Sequence, residues 1–192
     1  MTINKQEDIL YNNILLLSRN KLFFTKFNLN DTFQNRIYLI FIHISFLFIK
    51  IKQTNQKQKY KNFYQKMFDL IFKKIELNMR EIGYGDIAVN SKMKNLVKSF
   101  YNILLKCKNY KSMKCDQKRE FISVYFSNNR AKIDINVPLI VDYFDKFRFF
   151  CTNLSLNLIE RGIINFSYFT AVSDVPTTIS SFIYFNIILL LL

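Results

Sequence analysis

The chain has 192 residues, half of them hydrophobic and 17% aromatic, with Phe 21, Tyr 11 and Trp 0, and it carries a formal charge of +14. That length holds one domain with a real core, and so much apolar surface excludes bulk intrinsic disorder. Only Gly 3 and Pro 2 leave too few turn-makers for a sandwich or barrel. Long helices need few turns, so the composition points to an all-α, single-domain bundle of about six to seven helices with an apolar C-terminal tail. The charge attracts acidic partners such as rRNA, anionic lipid headgroups or an acidic protein without choosing among them. Lys dominates the basic count, which argues against sequence-specific reading of nucleic acid, because Lys is a solvated point charge and makes poorer bidentate contacts than Arg. Part of the Lys, Asn, Ile and Phe excess matches the codon bias of an AT-rich genome. Cys107, Cys115 and Cys151 show no CxxC spacing, which suits a reducing compartment rather than a disulfide framework or zinc site.

The opening MTINKQEDIL contains Glu7 and Asp8 and runs straight into apolar periodicity, so the expectation is a mature start without a signal or transit segment. Ile9, Leu10, Ile14, Leu15 and Leu17 fall at helical spacing, and Arg19 and Lys21 suit a helix C-terminus. Leu22 to Phe27 reads as an aromatic connector. Asn30-Asp31-Thr32 offers the next start, with Asp31 as N-cap and Gln34 reaching back, and Phe33 to Ile51 follows as a helix. This helix is apolar nearly all round over IYLIFIHISFLFI, Ile37 to Ile49. The run is shorter than the roughly 20 residues a bilayer needs. Arg36, His43 and Lys50 recur two turns apart as one polar stripe. A buried central helix of a bundle is the expectation, with membrane insertion or interfacial contact as the alternative.

Lys52 to Lys61, rich in Gln and Lys, is the expected connector, and beyond it Tyr64, Phe68, Ile71, Ile75, Met79 and Ile82 form one buried stripe. Asp69 and Glu76 lie two turns apart on a neighbouring face. If this helix folds back antiparallel, Glu76 comes level with Arg36 and Asp69 with His43, so the two polar stripes are expected to neutralise one another, buried charge being tolerable only when paired. In Gly83-Tyr84-Gly85-Asp86, Gly83 suits a left-handed helix end, Gly85 the turn, and Asp86 the cap of the next helix. That helix sends Val89, Met93, Leu96, Val97, Phe100, Leu104 and Cys107 inward and spreads Lys92, Lys94, Lys98, Lys106, Lys108 and Lys111 over its other faces. Asp116 to Phe126 and Val137 to Phe150 follow as helices, the latter entered through Asn136 with Pro138 in its first turn. Leu154 to Arg161 is a last short helix stopped by Gly162. The expected division is a helical domain over 1–165 and an irregular apolar tail over 166–192, ending in SFIYFNIILLLL. That run is short of the about 17 to 25 residues of a span, and reads either as a membrane-touching tail or as readthrough of a damaged gene end.

Little here resembles catalytic machinery. Gly83 and Gly85 lack a third glycine at nucleotide-binding spacing and follow a helix rather than a strand. With His 1, a zinc cluster built on several histidines is impossible, and His43 reads as a packed imidazole bonded to one polar partner. No Ser stands in a nucleophile elbow. Arg80, Glu81 and Gly83 are compact enough to imagine an active site, but helix termination with a flanking ion pair accounts for them. The expectation is a non-enzymatic binding protein with no cofactor and no metal. Aromatics interleave with lysines in KQKYKNFYQKMF and KCKNYKSMKC, as on a single-stranded nucleic-acid surface, so a basic RNA- or ribosome-binding protein is the alternative.

Two blocks resemble the ubiquinol-cytochrome c chaperone family. DTFQNRIYLIFIH, Asp31 to His43, is similar to a pattern of Asp-Thr, Arg and an apolar helix with His. QKMFDLIFKKIELNMREIGYGD, Gln65 to Asp86, is similar to Gln, Phe-Asp and Arg-Glu-x-Gly-x-Gly-Asp ahead of a Lys-bearing helix. With LYNNILLLSRNKLFFTKF upstream, the likeness runs from Leu10 to Lys111 and fades beyond Gly162. It implies an all-helical assembly factor that binds newly made cytochrome b for complex III, with possible contacts to ribosome or rRNA and to a membrane surface. Its matching positions are Asp31, Thr32, Arg36, His43, Asp69, Arg80, Glu81, Gly83, Gly85 and Asp86, whether as contacts or as fold. The implied location is the bacterial cytoplasm, peripheral at the inner membrane, or the matrix side in a mitochondrion.

Overall fold

In the computed structural model, which describes residues 5–53, 57–126 and 135–168, the elements are α1 (Lys5–Ser18), α2 (Leu22–Thr25), α3 (Phe33–Lys52), α4 (Lys57–Glu81), α5 (Asp86–Asn109), a single 3-10 turn (Tyr110–Ser112), α6 (Cys115–Phe126), α7 (Val137–Asn153) and α8 (Leu156–Glu160). The chain is all-α, and seven of these helices stand where the sequence places them. The eighth, α2, lies in the aromatic stretch read as a connector. Its Phe23 is fully buried against Tyr143 of α7, with ring centroids 4.7 Å apart, and that contact holds one helical turn in a segment too short to form one alone. α4 begins inside the expected Lys52–Lys61 connector. α7 continues three residues past Phe150 to Asn153, and α8 starts late because Ser155 accepts a bond from the Leu158 N–H and caps it.

α3 has no wide polar face, and its neighbours cover it on every side. Leu39, Phe41, Ile42, His43, Ile44, Ser45 and Leu47 are all fully buried. Phe41 and Phe48 meet Phe72 and Tyr64 of α4, Phe41 also meets Phe100 of α5, Tyr38 meets Tyr125 and Phe126 of α6, and Phe46 meets Phe144 of α7. Among the described residues α3 is the helix long and apolar enough to cross a membrane, yet 72% of its most apolar window is buried inside the protein. The buried-helix expectation therefore holds, and each fully buried Leu, Ile or Phe contributes about 1.5–3 kcal/mol of transfer free energy.

The Phe48–Tyr64 and Phe41–Phe72 pairs run in opposite senses along α3 and α4, so these helices are antiparallel. α5 reverses again and lies alongside α3. Met67, Ile71, Ile75 and Met79 of α4 are buried, but Ile82, read as the end of that stripe, is 58% exposed because the helix stops at Glu81 and the chain turns away. Across α3 and α4 lies α1, with Lys66 and Lys74 each 3.9 Å from the carboxylates of Glu7 and Asp8. The packed chain continues past α8, where Phe166 meets Tyr143 and Phe147 and the Tyr168 hydroxyl donates to Asp142. Most of the expected C-terminal tail, SFIYFNIILLLL included, lies outside the described residues.

The end of α8 is fixed by a close approach. Gly162 has φ +74, its carbonyl accepts from the Asn13 side chain at 2.6 Å, and a Cβ there would stand 2.7 Å from the Leu10 backbone nitrogen. Gly83 has φ +93 with open space around it. Gly162→Ala is expected to cost more than Gly83→Ala, with about 1–3 kcal/mol for the left-handed strain at each and the clash added at Gly162 alone. Urea denaturation of the two variants checks the order; equal losses would remove the close α1–α8 approach from the account.

Candidate functional site

The first family-like block begins at the entry to α3. Thr32, extended at φ −115 and ψ 152, is the N-cap, and its hydroxyl accepts from the Asn35 N–H at 3.2 Å. This corrects the assignment of the cap to Asp31. The Asp31 carboxylate is taken instead by the Arg36 guanidinium, whose two nitrogens donate at 2.5 and 2.7 Å. That bond holds the Asp31 carboxyl below its usual range, and Arg36 also lies over the Phe24 ring.

Seven residues on, His43 is completely buried in a box of rings from Phe23, Tyr143, Phe144 and Phe147, the last 4.7 Å away. Its Nδ1 is 2.7 Å from the Leu39 carbonyl and its Nε2 is 2.8 Å from the Tyr143 hydroxyl. A carbonyl only accepts, so Nδ1 carries the proton, and in a neutral ring Nε2 then accepts from Tyr143. Loss of water pushes the imidazole from 6.5 down to about 4, with the Leu39 bond opposing. His43 thus has two polar partners rather than one, and both of its nitrogens are occupied inside the core. Nothing in the sequence near His43 announces Tyr143, which is 100 residues away.

The expected neutralisation between the stripes of α3 and α4 does not occur. Arg36 turns back to Asp31, His43 bonds Tyr143, and Lys50 donates to the Thr152 carbonyl at 2.6 Å. On α4, Asp69 accepts from Gln65 at 2.8 Å and Glu76 pairs with Arg80 at 3.0 Å. Each acid finds a cation or amide within its own helix surface, where water still solvates it, and so avoids the cost of burial between helices.

At the other end of α4 the second block forms a fixed turn. Gly83 and Tyr84 N–H groups donate to the Arg80 and Met79 carbonyls, a Schellman closure with Gly83 in the left-handed conformation as expected. The cap of α5 is Gly85, not Asp86. Asp86 is the first helical residue, and its carboxylate is bound by Arg80, which also holds Glu76. One guanidinium therefore clamps both sides of the turn, while Glu81 stays exposed. Around the clamp, Ile87 is 89% exposed and Ile82 and Tyr84 also face water, with Lys92 over the Tyr84 ring at 5.0 Å.

Because α3 and α4 are antiparallel, Asp31, Thr32 and Arg36 lie at the same end of the bundle as Arg80, Glu81, Gly83, Gly85 and Asp86. His43 is inside and Asp69 stands apart on the α4 surface. The opposite end holds a feature the sequence reading missed, a cavity of about 820 Å³ between the C-terminal ends of α3 and α5 and the first half of α4. Its lining is mainly apolar, with Phe48, Ile51 and Leu104 among Lys52, Lys61 and Lys108. Three helices contribute, so no single stretch of sequence signals it.

Cys107 and Cys151 are buried, and burial raises both thiols above their usual range; Cys115 is exposed. Among the described residues no three His, Cys, Asp or Glu side chains are grouped to hold a metal ion.

Against known proteins, the family model described as ubiquinol-cytochrome C chaperone matches residues 25–120, half of the chain. No curated protein sequence matches. Among solved structures, the crystal structure of the Cbp3 homolog from Brucella abortus shares the fold, with a TM-score of 0.70 and 21% sequence identity over 84% of this chain and 90% of that one.

The buried imidazole makes stability depend on pH in a defined window. Folded His43 stays neutral down to about pH 4, while the unfolded chain takes a proton near 6.5. Its contribution is complete above the unfolded value and is lost as pH falls from there toward 4, by about 3 kcal/mol at most. Urea midpoints between pH 7 and pH 4.5 are expected to fall in the natural chain and to fall less in His43→Gln. Tyr143→Phe leaves Nε2 buried without a donor and is expected to cost about 1–3 kcal/mol at pH 7.

Proposed function

Since the chain belongs to the ubiquinol-cytochrome C chaperone family, we propose that it is an assembly chaperone for respiratory complex III whose client is newly made cytochrome b. The family match over residues 25–120 carries this reading, and the fold shared with the Brucella abortus Cbp3 homolog over most of both chains is consistent with it. The matched stretch holds α3 to α5 and with them both the clamped turn and the basic-rimmed cavity. A membrane-protein client offers long apolar segments, and a chaperone for it needs apolar surface that the core does not consume. Ile82, Tyr84, Ile87 and Leu105 are such surface.

The activity proposed is binding, not bond-making. His43 has both nitrogens engaged and no solvent access, so it is a poor general base. The proposed place of work is the membrane periphery, on the cytoplasmic face of a bacterial inner membrane or the matrix face in a mitochondrion, where a basic protein is attracted to anionic lipid.

The RNA-binding alternative rests on the charge of +14 and loses its aromatic support. In the two Lys-aromatic stretches, among the described residues, Phe63, Tyr64 and Phe68 are partly buried against the core and Tyr110 is fully buried, so these rings pack inward and are not a stacking platform.

Affinity capture of the full chain from detergent-solubilised membranes is expected to recover cytochrome b or its sister subunits, and deletion of the gene to lower cytochrome b. Recovery of ribosomal RNA alone, with cytochrome b unchanged in the deletion, would replace this reading with the RNA-binding one.

A further inference from the structure

The cavity at the end away from the clamped turn combines three properties. Its floor is apolar, with Phe48 and Ile51 nearly inaccessible, yet Leu105 on the rim is 61% exposed, so the space is an open groove rather than a sealed void. Its volume of about 820 Å³ lies within the span of about 300–1,000 Å³ typical of binding clefts. Its charged rim is of one sign: among the described residues Lys52, Lys61 and Lys108 line it, and no carboxylate does. Elsewhere lysines near acids are paired, as in Lys66–Glu7, Lys74–Asp8, Lys118–Asp145 and Lys146–Asp142. Among the described residues the three rim lysines make no ion pair.

We propose that this groove receives an apolar helical segment of a client chain that carries carboxylates at its flank. The apolar face of such a helix lies on Phe48, Ile51 and Leu104 with Leu105 closing one edge, and its flanking acids meet Lys52, Lys61 and Lys108. A second copy of this chain is a poor occupant, since it would bring another strongly basic surface to the same rim. Openness favours a helix over a single lipid chain, which needs enclosure to shed its water. The proposal deepens the chaperone reading and rests on it for the nature of the client.

The test uses the full chain and two fluorescent Leu/Ala helical peptides, one with Glu at both ends and one with Lys. Anisotropy titration is expected to show the Glu-ended peptide binding and the Lys-ended one weaker by about tenfold or more. Leu105→Glu, at an exposed position that leaves the core intact, is expected to weaken the Glu-ended peptide by about tenfold, and Lys52→Glu with Lys108→Glu to reverse the preference between the peptides. Circular dichroism confirms that the variants keep their helices. Equal binding of both peptides, no binding of either, or indifference to Leu105→Glu would overturn the proposal. So would displacement by phosphatidylglycerol vesicles, a dimer abolished by Leu105→Glu, or binding that appears only after removal of residues 169–192. Cytochrome b capture separates the two levels: its persistence in Leu105→Glu with failed peptide binding sinks the groove alone, and its absence alongside the expected peptide pattern sinks the cytochrome b client alone.

Discussion

A helix with no polar side must be surrounded. α3 places large apolar groups at nearly every position from Ile37 to Phe48, and water along any face would cost an amount comparable to a domain's whole net stability. The other helices are arranged to meet that demand. α4 and α5 form a hairpin along it, α6 and α7 cover the sides they leave, and α1 with α2 covers the rest. The one imidazole carried into this core is accepted because its two polar atoms are both bonded, one within the helix and one across to α7. The same bond specifies how α7 sits on α3.

Covering α3 uses up most of the chain's aromatic surface and so determines what remains for partners. Phe100 meets Phe41 and Phe72 edge to face, while those two rings pack tilted on each other, which gives the core direction as well as area. Of the large apolar side chains left exposed, Leu16, Val124 and Phe149 lie on α1, α6 and α7, while Ile82, Tyr84, Ile87 and Leu105 lie toward the two ends of the α4–α5 hairpin. One end is the turn held by Arg80 between Glu76 and Asp86, with mixed charge and three exposed apolar side chains. The other is the groove, whose charged rim among the described residues is lysine alone. A molecule with two unlike ends is suited to meeting two unlike surfaces, and the proposed work of escorting a membrane protein calls for that.

Most of the helices were legible in the sequence because their cues are local: the apolar period, Gly83 with its left-handed φ, Asn136 before Pro138, and Gly162. Two errors were also local, and both came from acids adjacent to a true cap. Asp31 and Asp86 each look like N-caps, but a nearby arginine competes for the carboxylate and the neighbouring Thr32 or Gly85 takes the cap. The pairing of α3 and α4 charges failed for a different reason. Level position on antiparallel helices does not bring side chains together when Asp69 and Glu76 have partners one turn away on α4 and the α3 groups bond Asp31, Tyr143 and Thr152 instead. Phe23, Tyr143 and the groove were illegible because their meaning depends on contacts between distant segments.

The central claim is that α3 is enclosed by the protein and not by lipid. Native-state hydrogen exchange of the full chain in water, without detergent, measures this directly. The account predicts that amides from Leu39 to Leu47 exchange only through global unfolding, with the same free energy and denaturant dependence as the whole domain. Exchange of those amides through local opening, with α4 and α5 still protected, or protection that appears only on adding lipid, would contradict it.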